Sequence, residues 1–152
     1  MELNASMIEA HIYRKRKGKF EFLILKRAEH ELYPGLWQMV TGKIKKEEKA
    51  FETARREVKE ESNLSTKKIF VVPVVNSFYS TLDDTVNFVP VFLCMVDEND
   101  KVKISDEHCK FRWVDKEKAK KMLAWPGQRR SLDIIYDFIT KKDEEIHFVE
   151  IK

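Results

Sequence analysis

The chain of 152 residues is 43% hydrophobic and 36% charged, and it is long enough to bury a substantial apolar core. Its net charge is only +3 (29 basic minus 26 acidic residues) and is spread along the sequence, whereas nucleic-acid-binding proteins concentrate basic residues on one face. The longest apolar run, Phe88–Val96, is too short to span a membrane, and no secretory leader is recognisable. Two cysteines cannot form a disulfide framework. We therefore expect one cytoplasmic domain, residues 1–152, that binds a small anion and neither nucleic acid nor a membrane.

Five segments are rich in β-branched and aromatic residues and are bounded by turn-forming residues, which is typical of strands. The first two are joined through Gly18 and predict a hairpin, and the turn-favouring residues Asp83 and Asp84 separate the third from the fourth. The predicted strands are Met7–Tyr13, Phe20–Leu25, Ile69–Tyr79, Val86–Val96 and Phe111–Val114. The tail Ile146–Ile151 alternates apolar and polar residues, so we expect an additional strand there.

Three other segments repeat apolar residues at helical spacing. In the first, Ala50, Ala54 and Val58 share one face, and their small side chains would allow the helix to lie close to a sheet. The predicted helices are Lys49–Ser62, a short helix capped by Asp115 that ends at Leu123, and Gln128–Ile139. The order β-β-α-β-β-β-α-α predicts an α/β fold in which a mixed central sheet is covered by helices, an α/β/α sandwich.

A group of carboxylates lies on the first predicted helix. Glu57, Glu60 and Glu61 are three and four residues apart and therefore share a face, which is not the apolar one. Like charges at this spacing destabilise a helix by about 0.2–0.5 kcal/mol per pair, and a bound divalent cation would reverse the sign of the interaction. Oxygen ligands alone favour Mg²⁺, with Mn²⁺ as a substitute. A solvated helix face rich in Glu and Lys is the alternative interpretation.

The segment Gly42–Leu64 resembles the Nudix box, G-x5-E-x7-R-E-U-x-E-E-x-G-U, in which U is a bulky aliphatic residue. The residues that match the box are Gly42, Glu48, Arg56, Glu57, Val58, Glu60, Glu61 and Leu64. Asn63 stands where the box has its second glycine. Asparagine is the next-best residue for a left-handed position after a helix, so we expect a small loss of stability and no loss of chemistry. The resemblance implies a Nudix fold.

The same resemblance implies roles for residues of the box. The implied metal ligands are Glu57, Glu60 and Glu61, together with the carbonyl oxygen of Gly42. Arg56 would orient Glu57, and Glu48 would support Arg56 through a charge-assisted hydrogen bond. Glu57 is the implied general base, although some members of the family place the base on a later loop. Hydrolysis of a phosphoanhydride needs a metal that neutralises phosphate charge and a carboxylate that accepts a proton from water.

Segments outside the box resemble the dihydroneopterin triphosphate pyrophosphatase branch of the family. They are Trp37–Gly42 (WQMVTG), Asp106–His108 and Phe111–Asp115. This resemblance implies that Glu107 is a further metal ligand and that Arg27 and Thr41 contact the substrate. A plain loop carboxylate and a solvated cation are the alternatives for Glu107 and Arg27. The segment Trp125–Gln128 departs from the residues that are usual in this branch.

The resemblance therefore implies a Mg²⁺-dependent pyrophosphohydrolase that cleaves a nucleotide-like triphosphate between its α and β phosphates, releasing pyrophosphate. Dihydroneopterin triphosphate is the expected substrate, which would place the enzyme in folate synthesis. The alternative is broader hydrolysis of (d)NTPs or dinucleoside polyphosphates. An inactive nucleotide-binding module and an RNA 5′-end pyrophosphohydrolase are less favoured, since all three box glutamates are present and no basic groove is indicated. The resemblance also allows a homodimer.

Five further residues have ordinary structural interpretations. We expect Trp37 and Trp113 to pack in or beside the core rather than to stack on a base. His30 and His108 are interpreted as surface-loop residues. Cys94 lies within an apolar strand and is expected to be a small buried hydrophobic residue.

Overall fold

The computed structural model describes all residues from 1 to 152. Eight strands form one sheet, and three α helices pack on it. The strands are β1 (Glu2–Asn4), β2 (Met7–Arg16), β3 (Lys19–Arg27), β4 (Trp37–Gln38), β5 (Val40–Lys43), β6 (Lys68–Ser80), β7 (Thr85–Met95) and β8 (His108–Val114). The helices are α1 (Ala50–Ser62), α2 (Lys116–Met122) and α3 (Pro126–Lys141). None of them combines the length and the hydrophobicity that crossing a bilayer would need.

The sheet is mixed, as the sequence predicts. Strand β7 pairs antiparallel with β6 and parallel with both β1 and β2, and β2 pairs antiparallel with β3 and β5. Strand β3 continues the sheet to β4 and β8, so that β6 and β8 are the two long edge strands. The β2–β5 pairing places Gly42 beside Ile8 and so fixes the start of the box-like segment next to α1.

The apolar core is divided between the two faces of the sheet. On one face, Ala54 and Val58 of α1 are fully buried in a cluster that includes Ile8 of β2. On the other face, α2 and α3 cover a second cluster, to which α3 contributes Leu132 and Ile135. Fully burying a residue such as Leu or Ile stabilises the fold by about 1.5–3 kcal/mol, so these two clusters hold the helices against the sheet.

Residues within and next to α1 provide hydrogen bonds for the backbone at both ends of the helix. At the start, the Lys49 N–H donates to the Glu52 carboxylate at 2.9 Å. At the end, Asn63 has φ 64°, the left-handed conformation that was predicted for it, and its N–H donates to the Lys59 carbonyl at 2.9 Å. The helix therefore ends where the box requires, with asparagine in place of glycine.

The prediction of a strand for the tail Ile146–Ile151 is wrong. Residues Ile146–Val149 form a 3₁₀ turn, and only a single bridge connects the tail to β6. Ile146 and Val149 both pack against the core on the α3 face. Residues three apart lie on the same side of a 3₁₀ turn, so an alternating pattern of six residues fits this turn as well as it fits a strand.

Candidate active site

An acidic cavity of about 310 Å³ lies beside the C-terminal half of α1. No hydrophobic residue lines it. Its lining residues are His30, Glu31, Glu57, Glu60, Glu61, Ser105, Asp106 and Glu107. The structure thus brings together the four carboxylates that the sequence resemblance implies as metal ligands. A cavity with so many carboxylates repels a phosphate anion unless cations neutralise it.

Arg56 connects Glu57 to the start of the box-like segment. Its Nη1 donates to Oε1 of Glu57 at 2.6 Å, and its Nε donates to Oε2 of Glu48 at 2.8 Å. Its Nη2 donates to the carbonyl oxygen of Lys43 at 3.0 Å, next to Gly42 in β5. The hydrogen bond from Arg56 lowers the pKa of Glu48 to about 2, so Glu48 stays ionised as the partner of Arg56. This network fixes the orientation of the Glu57 side chain.

Gly42 lies directly against the Glu57 side chain. A Cβ atom added at Gly42 would be 2.3 Å from Cγ of Glu57, well inside van der Waals contact. Glycine is therefore needed at position 42 because Glu57 approaches the strand closely. Burial raises the pKa of Glu57, although the contacts with Arg56 oppose the shift. The carboxylate thus lies in a partly desolvated position at the wall of the cavity.

Glu61 is the most deeply buried carboxylate of the cavity, with 2% of its surface exposed. Burial is the main cause that raises the pKa of Glu61 to about 10, and Glu107 and Glu57 add to it. Its Oε2 atom has no hydrogen-bond partner, and neither does Nδ1 of the neighbouring His108. Single ligand atoms of Glu61, Glu107 and His108 lie within 4.8 Å of one another. Buried polar atoms without partners are costly, and a cation bound among these atoms would satisfy them.

The prediction that His108 belongs to a surface loop is wrong. Its side chain is buried at the start of β8, with Nε2 3.3 Å from Nε2 of Gln38. Burial lowers the pKa of His108, so its imidazole is neutral near pH 7 and able to act as a ligand. The acidic residues Asp106 and Glu107, which precede His108, were the sequence feature that could have indicated a ligand at this position. The contact between His108 and Gln38 depends on the fold and could not be predicted. His30, in contrast, is exposed at the rim of the cavity.

Neither predicted substrate-contacting residue lines the acidic cavity. The guanidinium of Arg27 donates to the carbonyl oxygen of Leu32 and to Oε1 of Gln38, and lies 3.6 Å from the carboxylate of Glu31. Arg27 therefore holds the loop that carries His30 and Glu31 to the cavity wall. A direct contact of Arg27 with a substrate stays a prediction.

Thr41 faces the other side of the sheet from Gly42. It pairs with Glu9 across β2 and β5, and residues directly opposite one another in a sheet share a face. The Glu9 carboxylate accepts a hydrogen bond from Asn76 at 3.2 Å, and Asn76 also donates to Ser131 of α3 at 3.2 Å. Burial raises the pKa of Glu9 to about 7. Sequence patterns do not reveal this second polar cluster, because polar residues that alternate with apolar ones in a strand are ordinarily exposed to solvent.

The interpretations of Trp37, Trp113 and Cys94 are confirmed. Trp37 and Trp113 are partly buried and pack against the two apolar clusters. The guanidinium of Arg14 lies 4.1 Å from the centroid of the Trp113 ring, a cation–π contact. Cys94 is fully buried.

Comparison with known proteins agrees with this geometry. Residues 8–134 match the model of the NUDIX domain. The asymmetrical bis(5′-nucleosyl)-tetraphosphatase of Caenorhabditis elegans is 30% identical over 113 residues, which cover 73% of this chain and 79% of that protein. A crystal structure of a C. elegans Ap4A hydrolase binary complex has a TM-score of 0.77 at 25% identity, covering 89% of this chain and 97% of that one.

The Escherichia coli dihydroneopterin triphosphate pyrophosphohydrolase is similar in fold. Its TM-score is 0.69 at 22% identity, over 86% of this chain and 94% of that one. The match to the domain model covers most of the sequence and includes all the residues of the box-like segment. The chain therefore belongs to the Nudix family, has the Nudix fold, and is a Nudix pyrophosphohydrolase.

Proposed function

We propose that this enzyme hydrolyses dinucleoside polyphosphates asymmetrically, with divalent cations held by Glu57, Glu60, Glu61 and Glu107. The observation that carries the metal requirement is the convergence of these carboxylates on one cavity, where a buried oxygen of Glu61 has no partner. Oxygen ligands favour Mg²⁺ or Mn²⁺. When bound, such a cation neutralises phosphate charge and lowers the pKa of a bound water.

The protein residues then have separate tasks. Oε1 of Glu57 is occupied by Arg56, so Oε2 is the atom that would accept a proton from the attacking water. Arg56 positions Glu57, and Glu48 keeps Arg56 in place through a bond of 2.8 Å. Gly42 provides the space in which Glu57 lies, and in this proposal its carbonyl oxygen is a further metal ligand.

The choice of substrate rests on the relatives. The tetraphosphatase is 30% identical over 73% of this chain, whereas the similarity to the dihydroneopterin triphosphate enzyme is one of fold. An asymmetrical cut of a four-phosphate chain leaves one phosphate on one product and three on the other. For diadenosine tetraphosphate the expected products are AMP and ATP.

Dihydroneopterin triphosphate is the second candidate, and two local features favour it. The WQMVTG segment and the Asp106–His108 element resemble that branch, and they meet where Gln38 contacts His108 beside Glu107. This substrate would give a monophosphate and pyrophosphate.

A panel of substrates distinguishes these candidates. The protein with Mg²⁺ is incubated with diadenosine tetraphosphate, dihydroneopterin triphosphate and dNTPs, and the products are separated by anion-exchange chromatography. We expect the highest kcat/KM for diadenosine tetraphosphate, with AMP and ATP in equal amounts. Two molecules of ADP would contradict asymmetrical cleavage, and faster release of pyrophosphate from dihydroneopterin triphosphate would establish the second candidate. Orthophosphate as the sole primary product would contradict both.

A further inference from the structure

Three polar side chains form a hydrogen-bonded chain beside the acidic cavity. Strand β3 pairs with β4 and with β8, and the end of β3 brings Gln38 of β4 and His108 of β8 together. Nη1 of Arg27 donates to Oε1 of Gln38 at 3.3 Å, and Nε2 of Gln38 lies 3.3 Å from Nε2 of His108. Gln38 and His108 are both buried, so little water competes for these contacts.

The chemistry of these partners fixes the position of the proton on the His108 ring. A guanidinium group only donates, so the amide oxygen of Gln38 faces Arg27 and its NH2 group faces His108. Because the NH2 group also donates, Nε2 of His108 accepts this hydrogen bond and carries no proton. The ring proton of His108 is therefore on Nδ1.

The other ring nitrogen of His108 lies next to Glu61. Nδ1 is 3.9 Å from Oε1 of Glu61, about 1 Å longer than a normal N–H···O hydrogen bond, and it has no other partner. Two kinds of partner could complete this site. A cation would need a lone pair on Nδ1, whereas a carboxylate oxygen would need a proton there. The proton that Gln38 places on Nδ1 favours the carboxylate of Glu61.

We propose that His108 is a positioning residue that donates from Nδ1–H to Oε1 of Glu61, and that it is not itself a metal ligand. Arg27 and Gln38 keep the ring in the tautomer that this hydrogen bond needs. The inference rests on the metal site proposed above. Oε2 of Glu61, which has no partner, is then the oxygen that is left for the cation. Residues that support a metal ligand in this way are typically worth about 10–100-fold in metal affinity.

The backbone around His108 is held in place from two directions. The Ala28 N–H donates to the Glu107 carbonyl at 2.9 Å, and the Ser105 N–H donates to the Glu61 carbonyl at 3.4 Å. These bonds connect the segment that leads into β8 to the end of β3 and to the end of α1. The approach of Oε1 of Glu61 to Nδ1 of His108 therefore depends on the Glu61 side chain and not on movement of the backbone.

The tautomer of His108 can be observed in the metal-free protein, without a cation or a substrate. Two-bond ¹H–¹⁵N correlation spectra distinguish a protonated ring nitrogen from one with a lone pair. His108→Asn identifies the signals of His108 among those of the four histidines. We expect a proton on Nδ1 and none on Nε2. A proton on Nε2 in the wild-type protein would overturn this proposal and leave the proposed function standing.

A pair of matched substitutions tests whether Gln38 sets the tautomer. Gln38→Met keeps a side chain of similar size but removes the NH2 group, so the His108 ring should no longer be restricted to one tautomer. Gln128→Met is the control, because Gln128 is also buried but belongs to α3. The spectrum of His108 should not change in this control. An unchanged tautomer in Gln38→Met would contradict the role of Gln38.

Variants of His108 separate positioning from direct metal ligation. Asparagine has an NH2 group that can replace Nδ1–H as a donor, whereas leucine has none. In calorimetric titrations with Mn²⁺, His108→Leu should lose about tenfold or more in affinity, and His108→Asn should keep most of it. Equal affinities of the two variants, whether retained or lost, would overturn the proposal. No uptake of Mn²⁺ by any of the proteins would overturn the proposed metal site and the positioning role together.

Discussion

Glu61 and Glu9 are both buried glutamates, and they lie on opposite faces of the same sheet. Glu61 is 2% exposed and Glu9 is 7% exposed. Burial raises the pKa of both, to about 10 for Glu61 and to about 7 for Glu9. Each carboxyl is therefore protonated over a wider pH range than a solvated glutamate.

The surroundings of the two residues differ. Glu61 lines an acidic cavity with Glu57, Glu60 and Glu107, and one of its oxygens has no partner. Glu9 accepts a hydrogen bond from Asn76 and lies between the sheet and α3. A raised pKa alone thus indicates burial. The convergence of several carboxylates on an open cavity is what indicates a metal site.

The largest effect is expected from Glu57→Gln. The substitution keeps the shape of the side chain but removes the proposed proton acceptor, and general-base catalysis is worth about 10²–10⁴-fold in rate. We expect kcat to fall by at least about 100-fold, with an unchanged circular dichroism spectrum. Glu52→Gln is the matched control on the same helix, because glutamine can keep the capping contact with the Lys49 N–H. Comparable turnover in the two variants would remove Glu57 from the proposed role.

The next largest effect is expected from Gly42→Ala. The new Cβ would lie 2.3 Å from Cγ of Glu57, so the carboxylate must move, and activity should fall about tenfold or more. Overpacking should also destabilise the fold by about 1–3 kcal/mol. Gly127→Ala on the other face would place its Cβ 3.0 Å from Oδ1 of Asn76, which requires a much smaller shift. Steady-state kinetics and urea unfolding measure the activity and stability of both variants. Equal losses in Gly42→Ala and Gly127→Ala would contradict the special requirement for glycine beside Glu57.

Glu9→Gln should change stability and leave catalysis intact. The folded-state pKa of Glu9, about 7, lies above its ordinary value of 4.5, so its stabilising contribution is fully present below pH 4.5 and is lost as pH rises through 7. A shift of this size corresponds to roughly 3 kcal/mol. Glutamine stays neutral, so the free energy of unfolding of the variant should depend less on pH between 4.5 and 8. Urea titrations across this range test the expectation, and identical pH profiles for variant and wild type would refute it.

The smallest effect is expected from Asn63→Gly, outside both clusters. The residue has φ 64°, where glycine is the better residue, so stability should rise by less than about 1 kcal/mol. Activity should not change, because the helix already ends at the required residue. Thermal unfolding and kcat measure the two quantities, and a loss of stability would show that the asparagine side chain has a further role.

The sequence predicted the elements whose patterns are local and strong. Helix α1, the pair β6 and β7, and the cap at Asn63 follow from periodicity, β-branched runs and conformational preference. The short strands β1, β4 and β5 were not predicted, because they exist only through pairing with distant strands. The prediction for the tail was wrong because the spacing of its apolar residues fits both a strand and a 3₁₀ turn.

The residues of the site also fall into two groups: those that a local sequence pattern predicts and those whose position depends on the fold. The carboxylates of α1 could be grouped from their spacing alone, since a helix places them on one face. The burial of His108 and Glu9 could not be predicted, because it depends on which strands and helices pack over them. The family resemblance supplied Glu107, and the fold carries that residue to the cavity on a segment far from α1 in sequence.

Isothermal titration calorimetry with Mn²⁺ or Mg²⁺ measures whether the acidic cavity binds a divalent cation. We expect saturable uptake of the cation by the wild-type protein and a clear loss of affinity in Glu61→Gln, with Glu9→Gln binding as well as the wild type. No uptake by the wild-type protein, with or without nucleotide present, or equal affinity in all three proteins, would contradict the assignment of the acidic cavity as a metal site.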